Sequence, residues 1–398
     1  MNKALRIFGA ACFFVLLGCN SSRAGWQKVA PLPEPRWFHA SGATVDGRIL
    51  SFGGYILRDR KGLPQHGTGP YSLVIYNPVL NEWNRGPAVP PYHLRHVYDV
   101  FHDKSDGSPP TRESREIISN VDVPYEAPNG GSDEKNRVYW FGRSGPVVYD
   151  IAKRKWDQPP SPIYYQTGER YERSVPQYDR TAGATATGPD GRLYLIGGIG
   201  RILVGPGSED RRQILNSVDV YNPKTNTWSQ AAPMREARQL PAAVFGKDGK
   251  LYVFGGCACK GTATIINDDP EMTRRALIEL LEERRSVKIT EVYDPEKNMW
   301  QVRAPMPKPR QDLAAARGVD GKIYVIGGVP RYGEENNQTT VDVYDPTTDT
   351  WSKGPDLRTA RHGHTAVPTP DGKIYVVGGY GKHGPLASVE VLDTAPKK

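Results

Sequence analysis

The chain has 398 residues, including 42 glycines and 35 prolines, and its formal net charge is +8. That length allows two ordinary domains or one large all-β domain, and the composition is too aromatic for a disordered chain. The basic residues are spread out without a lysine- or arginine-rich block, so the sequence predicts no nucleic-acid partner.

The beginning of the chain has the pattern of an export signal. Lys3 and Arg6 precede an apolar run over residues 7–18, and a membrane-spanning helix would need about 20 apolar residues. The run ends in Leu-Leu-Gly before Cys19, which resembles the bacterial lipobox. Ordinary cleavage near Ala24 is the alternative.

The lipobox interpretation fixes the location that we expect for the protein. It predicts a signal peptide over residues 1–18, a lipid such as palmitate on Cys19, and a short linker over residues 20–25. The protein would then be anchored to the cell envelope, on its periplasmic or outer side.

A nine-residue motif recurs five times without gaps. Its copies are DGRILSFGG (46–54), DGRLYLIGG (190–198), DGKLYVFGG (248–256), DGKIYVIGG (320–328) and DGKIYVVGG (371–379), with a degenerate sixth, KNRVYWFGR (135–143). Asp-Gly predicts a two-residue hairpin turn, and the residues after it alternate as in a β-strand. The paired glycines predict a place where a side chain would block close packing of the backbone.

A tyrosine and, seven residues later, a tryptophan follow five of the six copies. The pairs are Tyr76/Trp83, Tyr149/Trp156, Tyr221/Trp228, Tyr293/Trp300 and Tyr344/Trp351. The last copy is followed by VEVLD (389–393) without a tryptophan, and Trp26 lies unmatched near the other end of the chain. Together these motifs resemble the kelch repeat over nearly all of residues 26–398.

The resemblance implies an all-β fold, a six-bladed β-propeller with four antiparallel strands, a to d, in each blade. The segment at Trp26 would supply the outer strand of the last blade and close the ring. The a–b and c–d turns would lie on one face, and the longer b–c and d–a loops on the other. We expect binding on that loop face, which the short linker would direct away from the membrane.

Two insertions depart from the repeat. Residues 102–136 are expected to form a polar a–b loop in blade 2. Residues 269–285 have an N-cap, a following proline and one apolar stripe, which predict a helix inserted in blade 4. Cys257 and Cys259 could form a strained disulfide, remain as thiols or be half of a soft-metal site, and the metal is least favoured because no histidine or third cysteine lies near in sequence.

An arginine precedes the first strand of each repeat, and the resemblance places these arginines at the mouth of the central channel. They are Arg36, Arg95, Arg180, Arg238, Arg310 and Arg361. Each could pair with a carboxylate of a neighbouring blade or with loop carbonyls. Alternatively, several could bind a ligand's carboxylate or phosphate, with Trp37 and Tyr171 as aromatic contacts.

The expected function is recognition of an acidic sugar or an acidic peptide or protein, without a cofactor. His39, His362 and His364 could bind a metal, but kelch repeats often carry histidine there, and we predict no metal site. No residue stands out as a catalytic group. The enzymatic alternative is a sialic-acid mutarotase similar to bacterial N-acetylneuraminate epimerase, another six-bladed kelch protein.

Overall fold

The computed structural model describes residues 25–54, 73–87, 93–102, 111–120, 129–132, 137–142, 145–157, 163–165, 174–176, 180, 182–202, 210–258, 262–265, 285–331 and 336–395. The regular secondary structure within these ranges is entirely β, and no helix found there could cross a membrane. The predicted signal peptide, Cys19 and all but the last residue of the predicted helix at 269–285 lie outside the described residues.

Short strands follow one another along the described chain. The first nineteen are β1 (Gln27–Val29), β2 (Ala40–Ala43), β3 (Ile49–Phe52), β4 (Val74–Asn77), β5 (Glu82–Arg85), β6 (His93–His102), β7 (Thr111–Asn120), β8 (Asn129–Ser132), β9 (Arg137–Gly142), β10 (Gly145–Asp150), β11 (Lys155–Asp157), β12 (Ile163–Tyr165), β13 (Ser174–Pro176), β14 (Ala184–Thr187), β15 (Leu193–Ile196), β16 (Ile199–Ile202), β17 (Asp210–Ile214), β18 (Val218–Asn222) and β19 (Thr227–Ala231). The others are β20 (Ala242–Phe245), β21 (Leu251–Phe254), β22 (Cys257–Ala258), β23 (Thr262–Ile265), β24 (Arg285–Ser286), β25 (Thr290–Asp294), β26 (Met299–Arg303), β27 (Ala314–Arg317), β28 (Ile323–Ile326), β29 (Val341–Asp345), β30 (Thr350–Lys353), β31 (Thr365–Pro368), β32 (Lys373–Val377), β33 (Tyr380–Gly381), β34 (Gly384–Pro385) and β35 (Val389–Asp393).

Six four-stranded antiparallel sheets in the described residues are the blades of a propeller. From inner to outer strand, blades 1 to 6 are β2-β3-β4-β5, β8-β9-β10-β11, β14-β15-β18-β19, β20-β21-β25-β26, β27-β28-β29-β30 and β31-β32-β35-β1. Each inner strand contacts the inner strand of the next blade, and β31 contacts β2, so the blades surround one axis. In blade 6, Gln27 of β1 pairs with Val391 of β35.

The hydrophobic core is divided among the interfaces between consecutive blades. Between blades 3 and 4, for example, Ile196 and Val218 pack with Leu251, Val253 and Tyr293. Similar clusters lie at the other five interfaces. Apolar residues therefore occur on both faces of each blade, because both faces are covered by neighbours.

The repeated tyrosine and tryptophan join neighbouring blades. In blade 4, Tyr293 pairs with Trp300 across β25 and β26, with ring centroids 5.2 Å apart. The indole N–H of Trp300 donates to the Ala232 carbonyl of the preceding blade at 2.7 Å. The amide of Ala232 in turn donates to the side chain of Asn298 at 2.8 Å.

The Gly-Gly pair ends strand b where another backbone passes closely. Gly255 and Gly256 have φ of 58° and 91°. A Cβ on Gly255 would lie 2.4 Å from the Arg310 carbonyl oxygen of the next blade. Glycine is needed because a side chain would force the blades apart.

Two expectations about connections are wrong. The Asp-Gly turns are longer than two residues: Thr44 and Arg48 close a turn in which only Gly47 has positive φ. The insertion in blade 2 is not an a–b loop, because the hairpin β6–β7 precedes β8, which is strand a. The hairpin therefore belongs to the connection from blade 1.

Candidate functional site

Four of the six repeated arginines form buried ion pairs with carboxylates on strand c of their own blade. The N···O distances are 2.6 Å for Arg180–Asp219, 2.5 Å for Arg238–Glu291, 2.5 Å for Arg310–Asp342 and 2.7 Å for Arg361–Glu390. The carboxylates expected from the sequence were those of neighbouring blades, whereas the segment before strand a and strand c of the same blade supply the two partners.

Arg310 shows how the two terminal nitrogens of such a guanidinium are held. Its Nη1 donates to the carbonyls of Gly327 and Thr340 at 2.8 and 3.0 Å, and its Nη2 donates to Asp342. Only 1% of the side chain is exposed. Burial lowers the pKa of Arg310, and the nearby Asp342 carboxylate opposes that shift. Such a side chain has little surface left for a ligand.

Blades 1 and 2 lack the carboxylate. Val74 and Val147 occupy the strand-c positions that correspond to Asp342. Arg36 of blade 1 is buried, donates to the Ser51 carbonyl at 3.4 Å and lies 3.9 Å from Glu34. Burial lowers the pKa of Arg36 to about 10.

Arg95 does not take the predicted position. Strand a begins at the fourth residue after the arginine in the other blades, as with Arg310 and Ala314. Arg95 instead lies within β6, opposite Ile118 of β7, and strand a of blade 2 is β8. The predicted sixfold ring is therefore wrong for Arg95. For the four paired arginines the geometry favours the structural alternative over contact with a ligand.

The channel mouth is formed by the residues two positions after five of the six arginines, that is, after all but Arg95, and each of these residues has left-handed backbone. They are Phe38, Ala182, Leu240, Asp312 and Gly363, with φ between 50° and 57°. Their amides bond to the preceding blade: Leu240 to Ala182 at 2.6 Å, Asp312 to Leu240 at 3.0 Å, Gly363 to Asp312 at 3.1 Å and Phe38 to Gly363 at 2.8 Å. We call these five residues the mouth belt.

The mouth belt lies on the loop face. The residues just before it form isolated antiparallel bridges with the first residues of the b–c loops: Gln239 with Cys257, Gln311 with Val329 and His362 with Tyr380. The start of strand a and the start of the b–c loop therefore meet at the same end of each of these blades.

The mouth belt is uneven in chemistry. Blades 3 and 4 contribute Ala182 and Leu240, whereas Asp312 of blade 5 places its Oδ2 atom 2.6 Å from Nδ1 of His362 in blade 6. A Cβ on Gly363 would lie 3.3 Å from the Phe38 ring and 3.5 Å from Asp312 Oδ2.

Three aromatic residues surround this pair. Trp37 lies 4.9 Å from Tyr380 and 6.1 Å from His362 between ring centroids, and it also contacts Phe38 at 4.5 Å. We call Trp37, Phe38, Asp312, His362 and Tyr380 the mouth cluster. It joins blades 5, 6 and 1.

Only part of this cluster was predicted from the sequence. Trp37 was expected as an aromatic contact and His362 was considered as a metal ligand, whereas Phe38, Asp312 and Tyr380 were not predicted. The Gly-Gly pair recurs in the repeats, whereas the residues at these positions differ from repeat to repeat. That variation was the signal in the sequence that could have identified them. Among the described residues, no group of three or more His, Cys, Asp or Glu side chains could hold a metal.

Two other candidates remain predictions. Tyr171 lies outside the described residues. Cys257 is buried at the start of β22, and Cys259 lies beyond the described part of that segment.

Comparison with known proteins identifies the repeats. The model of the Kelch motif matches residues 180–235, 313–358 and 361–395. Kelch repeat and BTB domain-containing protein 12 of Homo sapiens is 30% identical over 218 residues, which cover 51% of this chain and 31% of that protein. Alpha-scruin of Limulus polyphemus is 26% identical over 290 residues, or 71% of this chain and 27% of that protein.

A bacterial enzyme also matches. N-acetylneuraminate epimerase of Shigella flexneri is 30% identical over 143 residues, which cover 35% of this chain and 34% of the enzyme. In all three comparisons the match spans about a third of the relative's length or less.

Proposed function

This chain is a kelch-repeat β-propeller, and we propose that it is a recognition protein whose loop face binds an acidic protein, peptide or sugar around the mouth cluster. The observation that carries the proposal is the uneven mouth belt. Its backbone geometry is the same in five blades, but Asp312, His362 and three aromatic rings occupy one sector. Phe38 and Tyr380 are partly exposed at this edge, whereas Trp37, Asp312 and His362 are largely buried. Repeats that keep their packing residues and differ at one edge are suited to binding there.

Two cations support an acidic ligand. Arg331 and Lys382 are exposed in the b–c segments of blades 5 and 6, next to the blades that supply Asp312 and His362. They could steer an anion toward the mouth, a role that the buried arginines do not fill.

We also propose that the protein is exported and anchored through Cys19. The chain order in blade 6 supports a loop face turned outward. Strand c runs from the b–c loop toward the c–d turn, so the start of β1, paired near the end of β35, lies away from the loop face. A linker of six residues over 20–25 reaches only about 20 Å.

The test uses full-length protein, purified in detergent, on arrays of acidic glycans and acidic peptides. His362→Ala and Tyr380→Ala should each weaken binding to any positive probe by about tenfold or more, since Tyr380 is partly exposed at the mouth and the buried His362 holds Asp312 in place. Val79→Ser, an exposed change in a c–d turn on the opposite face, is the matched control. Binding that depends on Val79 and not on His362 or Tyr380, or no binding to either array, would reject the proposal.

A second candidate function is sialic-acid mutarotation. It rests on the similarity to N-acetylneuraminate epimerases of two Shigella strains, at 30% and 27% identity. The Asp312–His362 pair is the described acid–base pair nearest the mouth, and it could move a proton at the anomeric hydroxyl. Incubation with α-N-acetylneuraminate and anomer-resolved NMR tests this candidate. Interconversion no faster than in buffer rejects it.

A further inference from the structure

Two histidines are buried beside the mouth cluster, in the interfaces between consecutive blades, which we call seams. His39 follows Trp37 and Phe38 in blade 1, and His364 follows His362 and Gly363 in blade 6. Their side chains face the preceding blade: a Cβ on Gly378 of blade 6 would lie 2.8 Å from Cε1 of His39. A Cβ on Gly327 of blade 5 would lie 2.7 Å from Cε1 of His364. Each ring is thus wedged against the Gly-Gly segment of its neighbour.

Neither imidazole has the partner that a buried cation would need. Both residues are buried, and in the described structure neither ring nitrogen of His364 makes a hydrogen bond. Nδ1 of His39 likewise makes none there, while its Nε2 lies 3.2 Å from the Thr365 hydroxyl oxygen. A buried group of this kind stays neutral, because charging it would require solvation that the seam does not offer.

The charged and titratable groups that act on these rings oppose protonation. Burial is the main cause that lowers the pKa of His364, and Arg361, His362, His39 and Arg310 add to the shift. Burial, with a smaller contribution from Arg36, lowers the pKa of His39 to about 3. The Asp312 carboxylate is engaged by His362 in the adjacent position.

Blade 5 shows that the fold does not require histidine here. Leu313 holds the equivalent position, three residues after Arg310, and it lies against Gly255 of blade 4 and Gly328 of its own blade. A leucine satisfies the packing at that seam without any titratable group. Packing alone therefore does not explain why histidine occurs at the other two seams. Unlike leucine, histidine can respond to acid.

We propose that His39 and His364 are proton sensors that open the seams between blades 5, 6 and 1 in acid and thereby loosen the mouth cluster. An unfolded histidine titrates near pH 6.5, so protons bind preferentially to the opened seam as pH falls below that value. Opening would break the Phe38–Gly363 bond of the mouth belt, which links blades 6 and 1. Release of a bound ligand in acid rests on the proposed function, whereas seam opening does not.

The test is hydrogen–deuterium exchange of the full-length protein without ligand, at pH 7 and pH 4.5, corrected for intrinsic exchange rates. Peptides over residues 36–43 and 361–368 should exchange about tenfold faster in acid, while residues 238–245 of blade 4 change less than about twofold. His39→Leu with His364→Leu, which copies Leu313, should abolish the difference. His383→Leu, an exposed histidine in the b–c hairpin of blade 6, is the matched control and should keep it.

Each alternative result overturns the proposal. These results are equal exchange at both pH values, acid exchange unchanged in the double variant, or an equal acid effect in all blades. If the double variant does not fold, judged by circular dichroism at pH 7, His364→Leu alone is read at residues 361–368. Because no ligand is present, a failed binding experiment leaves this test intact.

Discussion

Arg310 and Asp342 bond to each other at 2.5 Å inside blade 5, joining the segment that leads into strand a to strand c of the same sheet. The same arrangement occurs in three further blades. Blade 2 has Val147 in place of the carboxylate and lacks an arginine at the fourth residue before strand a. In most blades the arginine before strand a and the carboxylate on strand c are thus either both present or both absent, as expected for a structural ion pair.

Removing one partner of this pair should destabilise the protein strongly. Arg310→Leu leaves the Asp342 carboxylate buried without its cation, and we expect a loss of about 3–5 kcal/mol in the free energy of unfolding. Arg310→Leu with Asp342→Val, which copies Val74 and Val147, should recover at least half of that loss. Chemical denaturation followed by circular dichroism measures both.

The exposed pair Lys353–Asp356, with an N···O distance of 2.6 Å, serves as the control for the buried pair. Lys353→Ala should change the free energy of unfolding by less than about 1 kcal/mol, because water already solvates both charges. An Arg310→Leu protein as stable as the wild type would show that the buried pair does not hold the blade.

The close-packing role of the first glycine in each Gly-Gly pair can be tested by comparing two glycines with positive φ. Gly327→Ala would place a Cβ 2.7 Å from the Arg361 carbonyl oxygen, whereas a Cβ on Gly191 meets no atom within 4 Å. Both substitutions strain the backbone, but only the first also crowds it. Gly327→Ala should therefore cost about 1–3 kcal/mol more than Gly191→Ala. Equal thermal shifts would argue against the close-packing explanation.

Trp26 should contribute to stability through blade 6. It is buried between blades 5 and 6, and its indole N–H donates to the Pro355 carbonyl at 2.8 Å. Trp26→Ala should cost about 3–5 kcal/mol, mainly through the cavity, and Trp26→Phe should cost less. Leu80→Ala, in an exposed turn, should change stability by less than about 0.5 kcal/mol. Unfolding midpoints in denaturant distinguish these, and a neutral Trp26→Ala would contradict the packing seen here.

The protein should unfold in alkali at a pH above the one at which exposed tyrosines normally ionise. Burial raises the pKa of Tyr76, Tyr194 and Tyr375 to about 12. Since the folded pKa lies above the unfolded value near 10, the stability contributed by these groups is intact below pH 10 and is lost as pH rises toward 12. Absorbance at 295 nm and circular dichroism should change together in this range.

The denatured protein in guanidinium supplies the reference titration for this prediction. Tyr194→Phe should remove the absorbance change of one tyrosine that ionises above pH 10. Ionisation of the tyrosines near pH 10 with unchanged circular dichroism would contradict the burial of their hydroxyl groups.

The sequence predicted the blades well because the signals for them are local. The apolar run of strand b, the Gly-Gly pair at its end and the fixed spacing from Tyr293 to Trp300 all fall within one sheet. The prediction was wrong in blade 2. Arg95 fitted the arginine pattern but lies within β6, and the hairpin β6–β7 comes before strand a, which is β8. A strand that contains an arginine followed by apolar residues resembles the entry to an inner strand until its partner is known.

The chain by itself determined an all-β protein of kelch repeats, because turn residues, alternation and paired glycines act over a few positions. Tertiary structure decided what the conspicuous residues do. Asp312 and His362 belong to different blades, and Phe38 and Gly363 come from opposite ends of the chain. Their contacts depend on how six sheets close around one axis, which no local pattern encodes. For the same reason, only the folded blades show that Arg310 turns inward to Asp342.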